Sequence, residues 1–214
     1  MRDPSEKPMV DGIRRGDRAA FDGAFTKFRA RVYAFALRLS GRRDVAEDVF
    51  QETWLKLARA APTLREDTDL TAWLFTVVRN EYVSWRRWSM FDLSRLVALG
   101  EESDHAARSD ALGTSDADAP DARADAARSI ARLELGLARL GPSQREVLLL
   151  IGVEGLDQEQ AAEVLGIRYD ALRQRLARAR AQLAAEMAKL DRDGHLAAAR
   201  ASASRSPLPD RGGR

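Results

Sequence analysis

The stretch Thr71–Trp88, TAWLFTVVRNEYVSWRRW, sets Trp73, Phe75, Tyr82, Trp85 and Trp88 among Arg79, Arg86 and Arg87, with Asn80 between them. Rings and guanidinium groups at this density suit unstacked nucleic-acid bases. Each base stacked on an aromatic face contributes roughly 1–3 kcal/mol, arginines hold the phosphates between bases, and the Asn amide offers a donor and an acceptor to a base edge. The same residues also describe an amphipathic helix. Trp73, Val77 and Val78 fall at i, i+4 and i+5, so some of the rings belong to a core. A second basic run, Arg168–Arg180, carries five arginines against the single acid Asp170. On a helix, Arg168, Arg173, Gln174, Arg175 and Arg178 lie largely outside the apolar stripe Leu172, Leu176, Ala179 and Leu183. That suits entry into a major groove, where Gln and Arg read base edges and the other arginines hold phosphates. A solvated amphipathic helix is the alternative reading.

Other chemistries find little support. The 214-residue chain has no cysteine, which excludes disulfides, thiolate catalysis and cysteine-based zinc sites. Its two histidines, His105 and His195, fall in polar segments expected to be disordered, without a partnering carboxylate or serine motif. No catalytic residue, metal site or cofactor is therefore expected. The longest apolar run, Val147–Ile151, is too short to cross a bilayer, and the charged N-terminus lacks the apolar region of a signal peptide. The formal charge is only +2, but acids crowd the middle while arginines crowd the two stretches above. That distribution points to nucleic-acid contact on particular faces of a cytoplasmic non-enzyme without membrane insertion.

The elements that must position these residues are helical. From Val10 to Leu39, Ala20, Ala24, Phe28, Val32, Phe35 and Leu39 recur at helical spacing, predicting two helices with a break near residues 26–30 and a stop at Gly41. Asp44 followed by Glu47 predicts a capping box that opens a helix to about Ala60, with Ala46, Phe50, Thr53 and Leu57 facing inward. The outer face of that helix carries Asp48, Gln51, Glu52 and Leu55. It is either plainly solvated or, since an exposed apolar residue adjoins acceptors for a partner's arginines, a docking surface. Ile130, Leu133, Leu137 and Leu140 resume the period. Gly141-Pro142 then opens a helix over 143–153, and Asp157 with Gln160 predicts a cap for a short helix over 158–165. Gly166-Ile167 turns the chain into a long helix ending near Leu190. Ala162, Leu165, Ile167, Leu172 and Leu176 are spaced as the shared core of a helix-turn-helix.

The predicted fold class is all-α, with two small helical domains: residues 10–88, a four-helix unit, and residues 128–190, a helix-turn-helix unit. Residues 1–9 and the basic tail 191–214 are expected to be disordered, and residues 89–127 to form a flexible acidic linker. Between Asp92 and Asp125 nine acids face three arginines. As a flexible chain the linker would reach about 35 Å, and fully extended beyond ~100 Å.

The order of the pieces resembles a sigma factor of the extracytoplasmic-function class in the sigma-70 family. The residues that carry the likeness are RGDRAAF at Arg15–Phe21, DVAEDVFQETWLKL at Asp44–Leu57, TAWLFTVVRN at Thr71–Asn80 and LGPSQREVLLLIGVEGLDQEQAAEVLGI at Leu140–Ile167. The resemblance implies a first domain that docks on the polymerase clamp and opens the promoter minus-ten element, and a second that reads the minus-thirty-five element as duplex. By position, Asp48, Gln51, Glu52 and Leu55 would face the beta-prime clamp of core RNA polymerase. Trp73, Arg79, Asn80, Arg86 and Arg87 would meet the minus-ten strand, which the family captures at the loop before the helix bearing Asn80. Arg168, Arg173, Gln174, Arg175 and Arg178 would meet the minus-thirty-five duplex, and the beta flap and an anti-sigma factor are further implied partners. Ser84 stands where the family often has Asp, and Arg168, Tyr169, Asp170 and Ala171 depart from its usual recognition-helix start, so an unusual upstream element is expected. Two other readings stay open on the residues alone. One is a free-standing helix-turn-helix regulator with a sensing domain, and the other is a helical interaction protein that does not bind DNA.

Overall fold

The structure, a computed structural model, describes residues 6–98 and 122–203, with side chains over 6–90 and 126–193. The described residues form helices α1 Glu6–Arg14, α2 Arg18–Ser40, α3 Arg43–Ala60, α4 Leu70–Ala98, α5 Ala122–Ala138, α6 Pro142–Leu148, α7 Gln158–Leu165 and α8 Tyr169–Ala203. A single 3₁₀ turn, Ala61–Thr63, follows α3, and a π turn, Leu149–Val153, continues α6. Among the described residues no strand occurs, as expected for an all-α chain.

Local chemistry explains where the helices begin and stop. Gly16 adopts φ 74°, a left-handed turn that side chains with a Cβ resist, and Asp17 then caps α2 by accepting from the Ala19 N–H at 2.8 Å. The break between the first helices therefore falls there and not at residues 26–30, where Ala24, Phe28, Val32, Phe35 and Leu39 make one buried stripe. Gly41, φ 67°, ends α2 as expected. The capping box at Asp44 and Glu47 does not form. Arg42 donates to both Asp44 oxygens and Arg43 Nε donates to Glu47 at 2.9 Å, charge-assisted bonds that outcompete backbone amides for these exposed acids. Asp157 and Gln160 do form their box, each side chain bonded to the other's backbone N–H, at 2.9 and 3.0 Å.

Element ends differ from the sequence-based expectations in three places. The disorder expected of residues 1–9 does not hold over residues 6–9, because Glu6 and Val10 are buried in α1, and residues 1–5 lie outside the described residues. Helix α4 runs on to Ala98 and α5 begins at Ala122, so helix occupies both margins of the expected linker, and residues 99–121 lie outside the described residues. Helix α8 continues past 190 to Ala203.

Two cores result. In the N-terminal module α1 to α4 bury Val10, Ile13, Phe28, Phe35, Leu57, Leu70, Leu74 and Phe75, with Phe35 edge-on to Phe75 at 5.0 Å and 81°. In the C-terminal module Val147, Leu149, Leu150, Leu165 and Leu172 are buried. Each such side chain contributes about 1.5–3 kcal/mol on leaving water. The modules also touch one another: α7 lies against α4, and α6 against α2.

Candidate nucleic-acid and polymerase interfaces

Helix α4 is held at its N-terminus by two carboxylates. Asp69 accepts from the Ala72 N–H at 2.8 Å, the ordinary cap. Glu6, brought from α1, accepts from the N–H groups of Leu70 at 3.0 Å and Thr71 at 3.2 Å and from the Thr71 hydroxyl at 2.5 Å. The helix thus begins with its first amides satisfied by a residue 64 positions away. Its inward stripe is Leu70, Leu74, Phe75, Val78 and Tyr82, all buried. Phe75 and Tyr82 are therefore core, whereas Trp88 is 69% exposed. Trp85 is intermediate: it stacks on Tyr82 at 6.3 Å and carries the Arg42 guanidinium 5.5 Å above its ring.

The five residues assigned to the minus-ten strand form two rows on α4. Trp73, Asn80 and Arg87 follow at intervals of seven, which returns to within about 20° of the same direction, and Arg79 with Arg86 form the neighbouring row. Asn80, Arg86 and Arg87 are exposed and Trp73 is half-buried. Arg79 differs: its Nη1 lies 3.4 Å from Asn80 Oδ1, and its Nε faces Glu146 of α6 at 3.6 Å.

On α3, Asp48, Gln51, Glu52 and Leu55 share one outward face spanning about 100°. The inward face is Val45, Ala46, Val49, Thr53 and Leu57. Leu55 is 42% exposed, an apolar residue flanked by acceptors, and Glu52 is bridged to Arg59 at 3.1 Å. Trp54 is buried in an edge-to-face group with Phe25 and Phe50, which fixes the rotation of α3 and hence the direction of that outer face.

The helix-turn-helix is built as expected. Gly166, φ 62°, ends α7, the Ile167 N–H donates to the Ala162 carbonyl at 3.1 Å, and Ala162, Leu165, Leu172 and Leu176 are buried between α7 and α8, with Ile167 half-buried. The five residues assigned to the minus-thirty-five element do not all share a face. Gln174, Arg175 and Arg178 line an open cleft of about 430 Å³ with Gln144 and Ala171. At 100° per residue, Arg173 projects on the far flank of the buried stripe, about 140° from Arg178. Arg168 is exposed at the N-terminal end of α8, where its carbonyl accepts from Leu172.

Sequence reasoning missed a set of polar contacts between the modules. Arg31 of α2 donates through Nε to Glu154 Oε2 at 3.1 Å and through Nη2 to the Glu154 carbonyl at 2.8 Å. Gln160 Nε2 donates to Asp69 Oδ2 at 2.6 Å. Arg38 faces Glu134 at 3.5 Å, and Arg145 reaches the carbonyls that end α5 and α2, among them Ala138 at 2.6 Å and Leu39 at 3.4 Å. Burial pushes the Glu146 carboxyl above the usual range against the pull of Arg79, Arg175 and Arg86. Burial likewise raises Glu154 against Arg31 and Arg38. The available signal was two acids, Glu146 and Glu154, bracketing the apolar run Val147–Ile151.

Comparison with known proteins agrees with this geometry. Residues 24–89 match the family model Sigma-70 region 2, and residues 130–183 match Sigma-70, region 4. The chain is 30% identical over 193 residues to the ECF RNA polymerase sigma factor SigE of Mycolicibacterium smegmatis, covering 87% of this chain and 71% of that one. It is likewise 30% identical over 183 residues to the ECF sigma factor EcfG of Rhodopseudomonas palustris, covering 83% and 86%. Among solved structures, the sigma factor RpoE of Bartonella quintana, in complex with the anti-sigma factor NepR, superposes with a TM-score of 0.63 at 29% identity, covering 80% of this chain and 98% of that one. The order of the two modules, the open acceptor face of α3 and the helix-turn-helix all fit one conclusion: the chain belongs to the sigma-70 family, as a sigma factor of the extracytoplasmic-function class.

Proposed function

We propose specific surfaces through which this sigma factor directs core RNA polymerase to promoters. The α3 face of Asp48, Gln51, Glu52 and Leu55 docks on the clamp, its acceptors taking arginines of the polymerase while Leu55 enters an apolar contact. The α4 rows of Trp73, Asn80 and Arg87 and of Arg79 and Arg86, together with the loop at residues 65–69, take the minus-ten strand as single-stranded DNA. There the rings receive unstacked bases and the guanidinium groups hold phosphates. Gln174, Arg175 and Arg178 of α8 read the minus-thirty-five duplex in its major groove, with Arg168 and Arg173 on flanking phosphates.

The reading rests most on the α8 face, because three side chains able to contact base edges or phosphates converge on an open cleft beside a correctly built helix-turn-helix. The chain works in the cytoplasm without chemistry of its own. An anti-sigma factor is a further proposed partner, on the strength of the similar complex with NepR. Run-off transcription with core enzyme on the DNA upstream of the factor's own gene tests the assignment. Alanine at Arg178 or Asn80 is expected to reduce the specific transcript while core binding persists, and Leu55→Asp to lower core affinity more than tenfold. Specific transcription unaffected by all three would overturn it.

A further inference from the structure

The only acid in the run Arg168–Arg180 is Asp170, and the turn of α8 gives it a definite place among the arginines. At 100° per residue, Asp170, Ala177 and Ala181 lie about 40°, 60° and 20° to one side of Gln174, and Arg178 about 40° to the other. These five are exposed and share one strip, directly opposite the buried Leu172, Leu176 and Ala179. Arginines stand on both flanks: Arg175 is about 100° from Gln174 on one side, Arg173 and Arg180 about 100° and 120° on the other. Two alanines along the strip keep the helix slim where it would meet the groove floor, while the flanking guanidinium groups reach the phosphates of either wall.

We propose that Asp170 is a specificity-determining residue for the upstream promoter element, its carboxylate accepting from the exocyclic amino group of a cytosine in the major groove. The proposal rests on the assignment of α8 to the minus-thirty-five duplex made above. On a flank, an acid would repel the phosphates that the arginines draw in. In the strip it faces base edges, one turn before Gln174. Among the described residues no hydrogen bond or ion pair engages its side chain, so both oxygens are open to a ligand.

The chemistry of the groove selects the base. An ionised carboxylate can only accept. Guanine shows two acceptors there and thymine an acceptor and a methyl group, so both oppose it. Adenine offers its N6 amino group beside the N7 acceptor, which repels the second carboxylate oxygen. Cytosine offers its N4 amino group with no acceptor alongside. Four residues of helix advance about 6 Å, so the cytosine lies about one or two base pairs from the pair that Gln174 reads.

Core polymerase assembled with the full-length chain tests this by selecting bound duplexes from a library randomised over the upstream element. With the wild-type chain, cytosine should be enriched about tenfold over the other bases at one pair. Asp170→Ala should remove that preference at this pair alone. Asp170→Asn should move it to adenine, because a side-chain amide bonds N6 and N7 together. Unchanged base preferences in both variants would overturn the proposal. If those unchanged preferences came with tighter binding of every sequence, Asp170 would only be repelling phosphate. If they came with a lowered melting temperature, it would only be balancing the dipole at the start of α8. Gln174→Ala separates the two levels of failure. A preference lost at another pair with Gln174→Ala, but none with the Asp170 variants, would defeat this proposal alone, whereas no change with any of the three would also remove α8 from the duplex.

Discussion

Replacing Glu6 with Ala should destabilise the N-terminal module by about 3 kcal/mol, although Glu6 lies in a stretch that composition marks as a frayed end. The carboxylate accepts from two backbone amides and one hydroxyl at the start of α4, at 3.0, 3.2 and 2.5 Å, and is 5% exposed. Net contributions of hydrogen bonds to a charged group run about 1.5–3 kcal/mol, and a buried amide left without a partner costs roughly 1–3 kcal/mol. Leu70 is fully buried, so its N–H loses the carboxylate without gaining water. Asp69 still caps Ala72, which keeps the helix itself and prevents these costs from adding in full. For a module of this size each kcal/mol lowers the melting temperature by about 4–8 °C, so a fall of about 12–24 °C is expected by far-ultraviolet circular dichroism. Glu6→Gln, with a single acceptor oxygen, should fall between wild type and Glu6→Ala, and deletion of residues 1–9 should cost at least as much as Ala. A melting temperature for Glu6→Ala within about 3 °C of wild type would refute the reasoning.

Three further outcomes are expected. Leu172→Ala, at a fully buried position between α7 and α8, should cost about 2–5 kcal/mol by chemical denaturation and abolish minus-thirty-five binding. Arg178→Ala should weaken promoter duplex binding of the holoenzyme by about 1–3 kcal/mol if it reads a base, whereas Arg173→Ala, on the other flank, should only lower the salt slope by about one. Leu55→Asp should leave thermal stability within about 0.5 kcal/mol, as exposed positions do, while core affinity in a pull-down titration falls more than tenfold.

Local signals in the sequence carried the fold well wherever the deciding interaction was itself local. Gly41 and Gly166 end helices because the turn needs a left-handed residue, and Asp157 with Gln160 closes a box across three residues. The stripe Ala162, Leu165, Leu172 and Leu176 is buried because its spacing places it on one side of each helix. The same logic failed at Asp44 and Glu47, where the pattern of a capping box is present but neighbouring arginines take both acids. It also failed at Gly16, since the long periodic run from Val10 hid a turn that one glycine and one capping aspartate were enough to set.

Candidate-site residues were readable as types and only partly as an arrangement. Arg173 and Arg178 look alike in a run of arginines, and the 100° step of the helix, anchored by Leu172 and Leu176, separates them. Less accessible still were contacts made at a distance. Arg31 and Glu154 are 123 positions apart, Asp69 and Gln160 are 91, and Glu6 and Leu70 are 64. No periodicity links such residues, because each lies on a polar edge of its own helix, where any charge is locally acceptable. Desolvation is the force that makes these pairs selective: an acid buried as deeply as Glu146 must face cations, and those within reach include arginines whose proposed work is on DNA. A charge placed to be neutralised by nucleic acid is open to neutralisation by the protein itself.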